Sequence, residues 1–165
     1  MQRFLVLLLV PALALCCQSH DTAVPKTVLI PEGYAGLFRI VYEEECGLTP
    51  MKENGSDVLR IPESGVLILN VDFDLMGDSD FYFVGGNGQC KKIALARGSV
   101  PTVKMRGIGT FSEEYKSIPF RDFFVQRDSV DEMMDYRRAR VFDSLSLSLI
   151  HECRRHGTSK RQNGK

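Results

Sequence analysis

The residues with the clearest potential for chemistry lie near the end of the chain, where residues 151–156 spell HECRRH. Zinc proteases carry the motif H-E-x-x-H, in which the two histidines share one face of a helix. His151 and His156 are five residues apart, which on a helix separates their directions by about 140°. Cys153 and His156 could supply two metal ligands, but the sequence offers no third. The stretch is therefore interpreted as the basic end of a helix with an inward-facing cysteine.

A second candidate is the acidic stretch DFDLMGDSD, residues 72–80. Calcium is bound by clustered carboxylates. The stretch supplies such carboxylates from Asp72, Asp74, Asp78 and Asp80. An EF-hand loop needs an oxygen ligand at its fifth position, where this chain has Met76. The four aspartates are kept as candidate metal ligands. The favoured interpretation of the stretch is a solvated loop between strands, and no cofactor is predicted.

The motifs give little support to phosphate binding or nucleophilic catalysis. The loop GGNG, residues 85–88, precedes CKKIALA, which has a strand-like pattern, whereas phosphate-binding loops lead into a helix. It is predicted to close a hairpin between SDFYFV and QCKKIALA. The chain lacks the G-x-S-x-G motif, and its three histidines are poorly placed for a catalytic triad. We expect a non-enzymatic protein, with a hydrolase that uses paired carboxylates as one alternative.

The first seventeen residues, MQRFLVLLLVPALALCC, differ from the rest of the chain. One positive charge, Arg3, precedes a nearly unbroken apolar run from Phe4 to Leu15. The run is shorter than the roughly 20 residues that span a bilayer, and it resembles the n-region and h-region of a secretory signal peptide. Residues 1–17 are therefore predicted to direct export, which makes the mature protein extracytoplasmic.

Two processing sites compete at the end of this leader. Residues 12–14 form an A-x-A cleavage site. The overlapping LALC and ALCC resemble a bacterial lipobox, in which the cysteine becomes the lipidated first residue, although that pattern prefers a small residue before the cysteine. Cys16 and Cys17 are thus candidate lipidation sites, and the product is either secreted or a membrane-anchored lipoprotein in the periplasm or at the cell surface. Residues 18–25 would then form a tether.

Beyond the leader the composition is that of one globular domain. A chain of 165 residues is long enough to bury a core. Lys+Arg and Asp+Glu both number 21, and this balance gives no general attraction to nucleic acid. Residues 26–157 are predicted to form a single β-rich domain, followed by a disordered tail at 158–165.

Short strands with regular turn signals occupy residues 26 to about 127, as in an all-β sandwich. Two segments, VLIPEGYAGLFRIVY at 28–42 and VLRIPESGVLILNVDF at 58–73, share Ile-Pro-Glu with a nearby glycine. Proline presets φ and glycine supplies a positive φ, so each segment is predicted to form a strand–turn–strand corner. The repetition indicates either a duplicated hairpin or recurrent turn chemistry. The predicted fold is an antiparallel β-sandwich-like domain.

The alternation of residue types assigns faces to these strands. After the first corner, Phe38, Ile40 and Tyr42 share one face, while Arg39 and Glu43 share the other. This pattern predicts a strand with one face in the core.

A long amphipathic helix is predicted at the end of the domain, over residues 130–156. Ser129 and Glu132 form a capping box at its start, and Gly157 stands in the usual stop position. Apolar residues that lie near one helical face are Val130, Met133, Met134, Val141, Leu145, Leu149 and Cys153. We expect this face to cover one sheet, with docking of a partner as the alternative.

Three cysteines remain after the leader: Cys46, Cys90 and Cys153. In an oxidising compartment two of them can pair. Cys46 and Cys90 both lie at the ends of predicted strands and are the favoured disulfide pair, while three separate buried thiols are the alternative.

The segments IPEGYAGLFRIVYEEECG and LRIPESGVL resemble an uncharacterised bacterial extracytoplasmic family, domain of unknown function 6843. The resemblance covers Val28 to about Phe83 well and the C-terminal helix hardly at all. It implies a β-rich domain, often behind a secretory or lipoprotein leader, and brings no known catalytic residues.

These observations favour an exported cell-envelope protein with a non-enzymatic binding or structural role. Its expected partners are a lipid anchor in the membrane and an unidentified envelope protein, with no nucleic acid. A carrier of calcium or a small ligand, using the acidic loop at 72–80, is the second alternative beside the carboxylate hydrolase.

Overall fold

A computed structural model describes residues 24–73, 78–95, 100–113, 116–127 and 136–162. The predicted leader, both lipidation candidates, Asp74 and the predicted capping box lie outside the described residues. Among the described residues, no helix is both long and apolar enough to cross a bilayer.

The described residues form nine strands and one helix. The strands are β1 (Lys26–Pro31), β2 (Gly36–Val41), β3 (Met51–Glu53), β4 (Ser56–Arg60), β5 (Val66–Ile68), β6 (Ser79–Val84), β7 (Cys90–Lys92), β8 (Thr102–Glu113) and β9 (Lys116–Gln126). The helix, α1, spans Tyr136–Gln162. The predicted hairpin around the GGNG loop is confirmed, because β6 and β7 pair in antiparallel fashion on either side of it.

The strands form two sheets. The first has the order β3-β4-β1-β6-β7 and the second has the order β5-β2-β9-β8. The predicted mainly β fold with one C-terminal helix is confirmed. The strand pairing needs one correction: β1 pairs in parallel with β4 and β6, and β2 pairs in parallel with β5, so the sandwich is mixed rather than antiparallel throughout.

Both predicted corners are confirmed, and each carries the chain from one sheet to the other. The first joins β1 to β2, where Gly33 has a φ of 88° and the Tyr34 amide donates to the Pro31 carbonyl at 3.1 Å. The second joins β4 to β5, where Gly65 has a φ of 76° and its amide donates to the Pro62 carbonyl at 2.9 Å. Because β1 lies beside β4 and β2 beside β5, the two similar sequence segments lie side by side. This crossing between sheets is why the pairs are parallel.

The main core lies between the two sheets. The first sheet contributes Val28, Ile30, Leu59, Phe81 and Phe83, and the second contributes Phe38, Ile40, Leu67, Phe123 and Val125. The rings of Phe81 and Phe123 meet across the interface with centroids 5.7 Å apart. The predicted inward face of the strand after the first corner is confirmed.

The helix covers the outer face of the second sheet. Ile150 of α1 is fully buried against Val41, Val66 and Ile118. The predicted covering role is therefore confirmed, and the molecule has three layers: first sheet, second sheet and helix.

The helix continues past its predicted end. A Cβ atom on Gly157 would lie 3.1 Å from Cys46 Cβ, which is closer than side-chain atoms normally pack. Gly157 is therefore explained by the close approach of the helix to Cys46, and it does not act as the helix stop that was predicted.

Candidate functional site

The disulfide joins a different pair from the predicted one. Cys46 is bonded to Cys153, with Cα atoms 5.6 Å apart, while Cys90 is a free, exposed thiol. The predicted Cys46–Cys90 pair is wrong because Cys46 follows β2 in the second sheet, whereas Cys90 begins the edge strand β7 of the first sheet. The helix packed on the second sheet brings Cys153 to Cys46 instead.

A group of charged side chains lies close to the disulfide along the chain, since Glu44 is two residues before Cys46 and Arg154 follows Cys153. We refer to Glu44, Glu113, Lys116, His151 and Arg154 as the Glu44 cluster. The carboxylate of Glu44, whose side chain is 2% exposed, accepts two hydrogen bonds of 2.8 Å from Arg154 and one of 3.1 Å from Lys116. Arg154 also donates to Glu113 at 2.5 Å, and His151 contacts the same carboxylate. The cluster ties the second half of α1 to the second sheet and to the segment after β2.

These contacts shift the pKa values of three side chains in the cluster. Burial raises the pKa of the Glu44 carboxyl, but hydrogen bonds from Arg154 and Lys116 outweigh it and hold the pKa below its usual value. Hydrogen bonding from His151, with a further contribution from Arg154, lowers the pKa of Glu113. Hydrogen bonds to these two carboxylates raise the pKa of the Arg154 guanidinium. All three groups are therefore charged at neutral pH.

A second charged group lies under the first half of the helix, around Arg39 of β2. Its guanidinium makes a bidentate contact with Asp122, at 2.6 and 2.8 Å, and a third bond of 2.8 Å with Asp143 of α1. The ring of Phe120 lies 3.8 Å from the guanidinium carbon. Burial would lower the pKa of Arg39, but Asp122 and then Asp143 raise it overall. Sequence reasoning placed Arg39 on the face opposite the core, and α1 is what buries it.

The structure does not gather the three described members of the predicted metal-ligand set into a site. Asp72, Asp78 and Asp80 are exposed, and Asp80 forms an ion pair of 2.8 Å with Lys92. Among the described residues, no group of three or more His, Cys, Asp or Glu side chains is arranged to hold a metal ion. Asp74, the fourth candidate, lies outside the described residues.

The two histidines of the HECRRH stretch lie next to different acidic residues. His151 contacts Glu113, and the exposed side chain of His156 lies 3.8 Å from Glu152. Cys153 is in the disulfide. This agrees with the interpretation of the stretch as a basic helix end with an inward cysteine.

One concave candidate site is a cavity at one end of the sandwich, which we call the end cavity. Its volume is about 650 Å³. The lining includes Lys26, Ser79 and Phe81 of the first sheet and Met105, Arg121 and Phe123 of the second. The cavity therefore opens between the inner faces of the two sheets.

Two of the lining residues are buried cations. Lys26 is 4% exposed and Arg121 is 3% exposed. The Lys26 ammonium donates to the Val24 carbonyl at 3.3 Å, and the Arg121 guanidinium lies 5.3 Å from the ring of Phe73. Sequence reasoning missed both residues. The sequence contained one indication of this burial. Lys26 lies two residues before the apolar Val28, and residues two apart in a strand have their side chains on the same face of the sheet.

The fold and this site define a class of protein: a β-sandwich with a helix disulfide-bonded over one sheet and an open cavity between the sheets. Comparison with known families shows which family the chain belongs to. Residues 22–134 match the model of DUF6843, a family of unknown function, and the chain belongs to that family.

A solved structure shares this fold. It is the crystal structure of a protein named "Putative Lipoprotein from Bacillus anthracis". The two structures superimpose with a TM-score of 0.63, and the matched region covers 77% of this chain and 94% of the other chain. The two sequences are 21% identical, so the similarity concerns the fold. No curated protein matches this sequence.

Proposed function

We propose that this protein is exported and held in the cell envelope by a lipid anchor, where it acts as a non-enzymatic binding domain. The proposal combines three parts, namely export, anchoring and binding, and each part has its own support.

Export is supported chiefly by the Cys46–Cys153 disulfide, the observation that carries the proposal. Disulfides persist in oxidising compartments and are rare in the cytosol. This one joins residues separated by 107 positions and secures α1 over the second sheet. The signal-like leader at residues 1–17 points to the same compartment.

Anchoring is supported by the two cysteines at the end of the leader and by the name of the structural relative. Lipidation of Cys16 or Cys17 would attach the domain through residues 18–25. That segment precedes Lys26, the first residue of β1, so it would separate the folded domain from the membrane surface.

A binding role is supported by how the polar groups of the described residues are used. Arg39 and the Glu44 cluster hold the helix on the second sheet. The end cavity combines apolar side chains, among them Phe81 and Phe123, with polar and charged groups that could orient a small molecule. Arg39 and the Glu44 cluster thus secure α1, whereas Lys26 and Arg121 line the cavity.

The experiment is intact-mass analysis and detergent-phase partitioning of the protein expressed with its leader, beside Cys16→Ser and Cys17→Ser variants. We expect an acylated N-terminus that one of the two substitutions abolishes, together with partitioning into the detergent phase. Cleavage after Ala14 without acylation would overturn the anchor and leave export standing. An uncleaved chain retained in the cytosol would overturn both.

A further inference from the structure

The inner faces of the sandwich change from apolar to polar at one end. Lys26 lies in line with the core residues Val28 and Ile30 of β1, and Ser79 lies in line with Phe81 of β6. The second sheet shows the same change. Arg121 lies in line with Phe123 and Val125 of β9. The end cavity forms where these polar positions meet.

The two sheets end in edge strands of different length beside this cavity. Strand β8 has twelve residues, whereas β7, the last strand of the first sheet, has three. Met105 pairs with Phe123 and Ile108 pairs with Arg121, so both lie on the inner face of the second sheet. They are nevertheless 61% and 52% exposed. The β8–β9 hairpin therefore presents an uncovered apolar wall next to the buried cations.

We propose that the end cavity binds a small amphipathic anion. Its carboxylate or sulfonate would lie near Lys26 and Arg121, and its apolar part would lie against Phe81, Phe123 and Met105. An ammonium has three donors and a guanidinium has five, so each can serve a ligand in addition to its partners within the protein.

The positions of the charges favour an anion over a cation. Asp78 and Asp80 also line the cavity, but both are exposed, and Asp80 is paired with Lys92. Water and salt screen exposed charges, whereas buried charges act through a lower dielectric. Lys26 and Arg121 are therefore the charged groups of the lining that are most shielded from water, so an anion placed beside them would be attracted through a lower dielectric.

The size of the cavity limits the class of ligand. Small-molecule sites have volumes of about 300 to 1,000 Å³, and the end cavity has about 650 Å³. It can therefore hold a molecule the size of a short fatty acid but not a folded partner. The inference rests on the proposed binding role and is independent of the lipid anchor.

The test is calorimetric titration of the mature chain with three ten-carbon probes: decanoate, decanol and decyltrimethylammonium. They share the apolar part and differ in charge. We expect saturable binding of decanoate at one site, with decanol at least about tenfold weaker because it lacks a charge-assisted hydrogen bond, and no saturable binding of the cation. Equal affinity for the three probes, or no binding of decanoate, would overturn the inference.

Two matched substitutions locate the site without removing a buried cation. Met105→Glu places a carboxylate on the exposed apolar wall, while Val141→Glu makes the same kind of change on α1, at a residue that is 71% exposed. Met105→Glu should weaken decanoate binding at least about tenfold, and Val141→Glu should leave it unchanged. Equal effects would contradict the assignment. A chain that is acylated at its leader cysteine and binds none of the probes would overturn this ligand and keep the anchor.

Discussion

Arg39 links the second sheet to the first half of the helix. A buried guanidinium is costly to desolvate unless it is paired and hydrogen-bonded. Asp122 on the neighbouring strand β9 supplies a bidentate partner, and Asp143 supplies a third bond from α1. Because the bond to Asp143 forms at only one position of the helix along the sheet, Arg39 fixes the register of this layer as well as its attachment.

Glu44 and Glu113 make the attachment of α1 dependent on pH. Each has a lower pKa in the folded protein than in the unfolded chain. As the pH falls, the unfolded state therefore binds protons first. The stabilisation that these carboxylates provide is fully present above about pH 4.3, the usual pKa of a glutamate side chain. It is lost as the pH falls further, through the lower pKa values that the two groups have in the folded protein. We expect the free energy of unfolding, measured with urea, to decrease steadily from pH 5 to pH 3.

The neighbouring residue provides a matched control for this prediction. Glu44→Gln should cost about 2 kcal/mol at pH 7 and flatten the acid dependence, because the buried carboxylate no longer titrates. Glu45→Gln, at an exposed position, should change both quantities little. An equal effect of the two substitutions would show that Glu44 has no special part in holding the helix.

The sequence predicted which residues of β2 face the core but not what its outer face contacts. Alternation alone places Phe38 and Ile40 together, because side chains of a strand point to opposite faces in turn. The partners of Arg39 are 83 and 104 residues away in the chain. No local pattern carries that information. Lys26 and Arg121 show a similar limit, since their burial depends on how the two sheets close on each other.

At the scale of elements, the two Ile-Pro-Glu segments were predicted as corners and are corners. Their local chemistry, a proline and a glycine, is sufficient for a turn. What the pattern could not show is the direction in which each corner sends the chain. The first takes β1 into β2 and the second takes β4 into β5, each time in the other sheet. Parallel pairing of the two units follows from that crossing.

The disulfide is predicted to be the strongest single link between α1 and the second sheet. It closes a loop of 107 residues, and in the chain-entropy model such a crosslink stabilises by about 4 to 5 kcal/mol. We expect Cys153→Ser to lower the free energy of unfolding by roughly that amount, as measured by urea denaturation without reductant.

Cys90→Ser is the matched control, since Cys90 is a free, exposed thiol on β7. It should leave stability unchanged and abolish the one thiol of the folded domain that reacts with a thiol reagent. Destabilisation by Cys90→Ser comparable to that by Cys153→Ser would contradict the observed pairing.

At the scale of the whole molecule, the two interfaces between layers have different chemistry. The sheets meet through apolar side chains alone over most of their area. The helix meets the second sheet through a smaller apolar cluster, two groups of ion pairs and a disulfide. The helix layer is therefore the one whose attachment responds to acid and to reductant.

Deleting residues 129–165 tests whether this layer is part of the fold. The deletion exposes Val41, Val66 and Ile118, leaves Arg39 without its helix partners and removes the disulfide. Each large apolar side chain returned to water costs about 1.5 to 3 kcal/mol, so the sum approaches the 5 to 15 kcal/mol stability of an ordinary domain. We expect a product that aggregates or lacks a cooperative urea transition, whereas Val141→Ala on the exposed side of α1 should behave as the intact protein. A truncated protein that still unfolds cooperatively at the same urea concentration would show instead that α1 serves a partner.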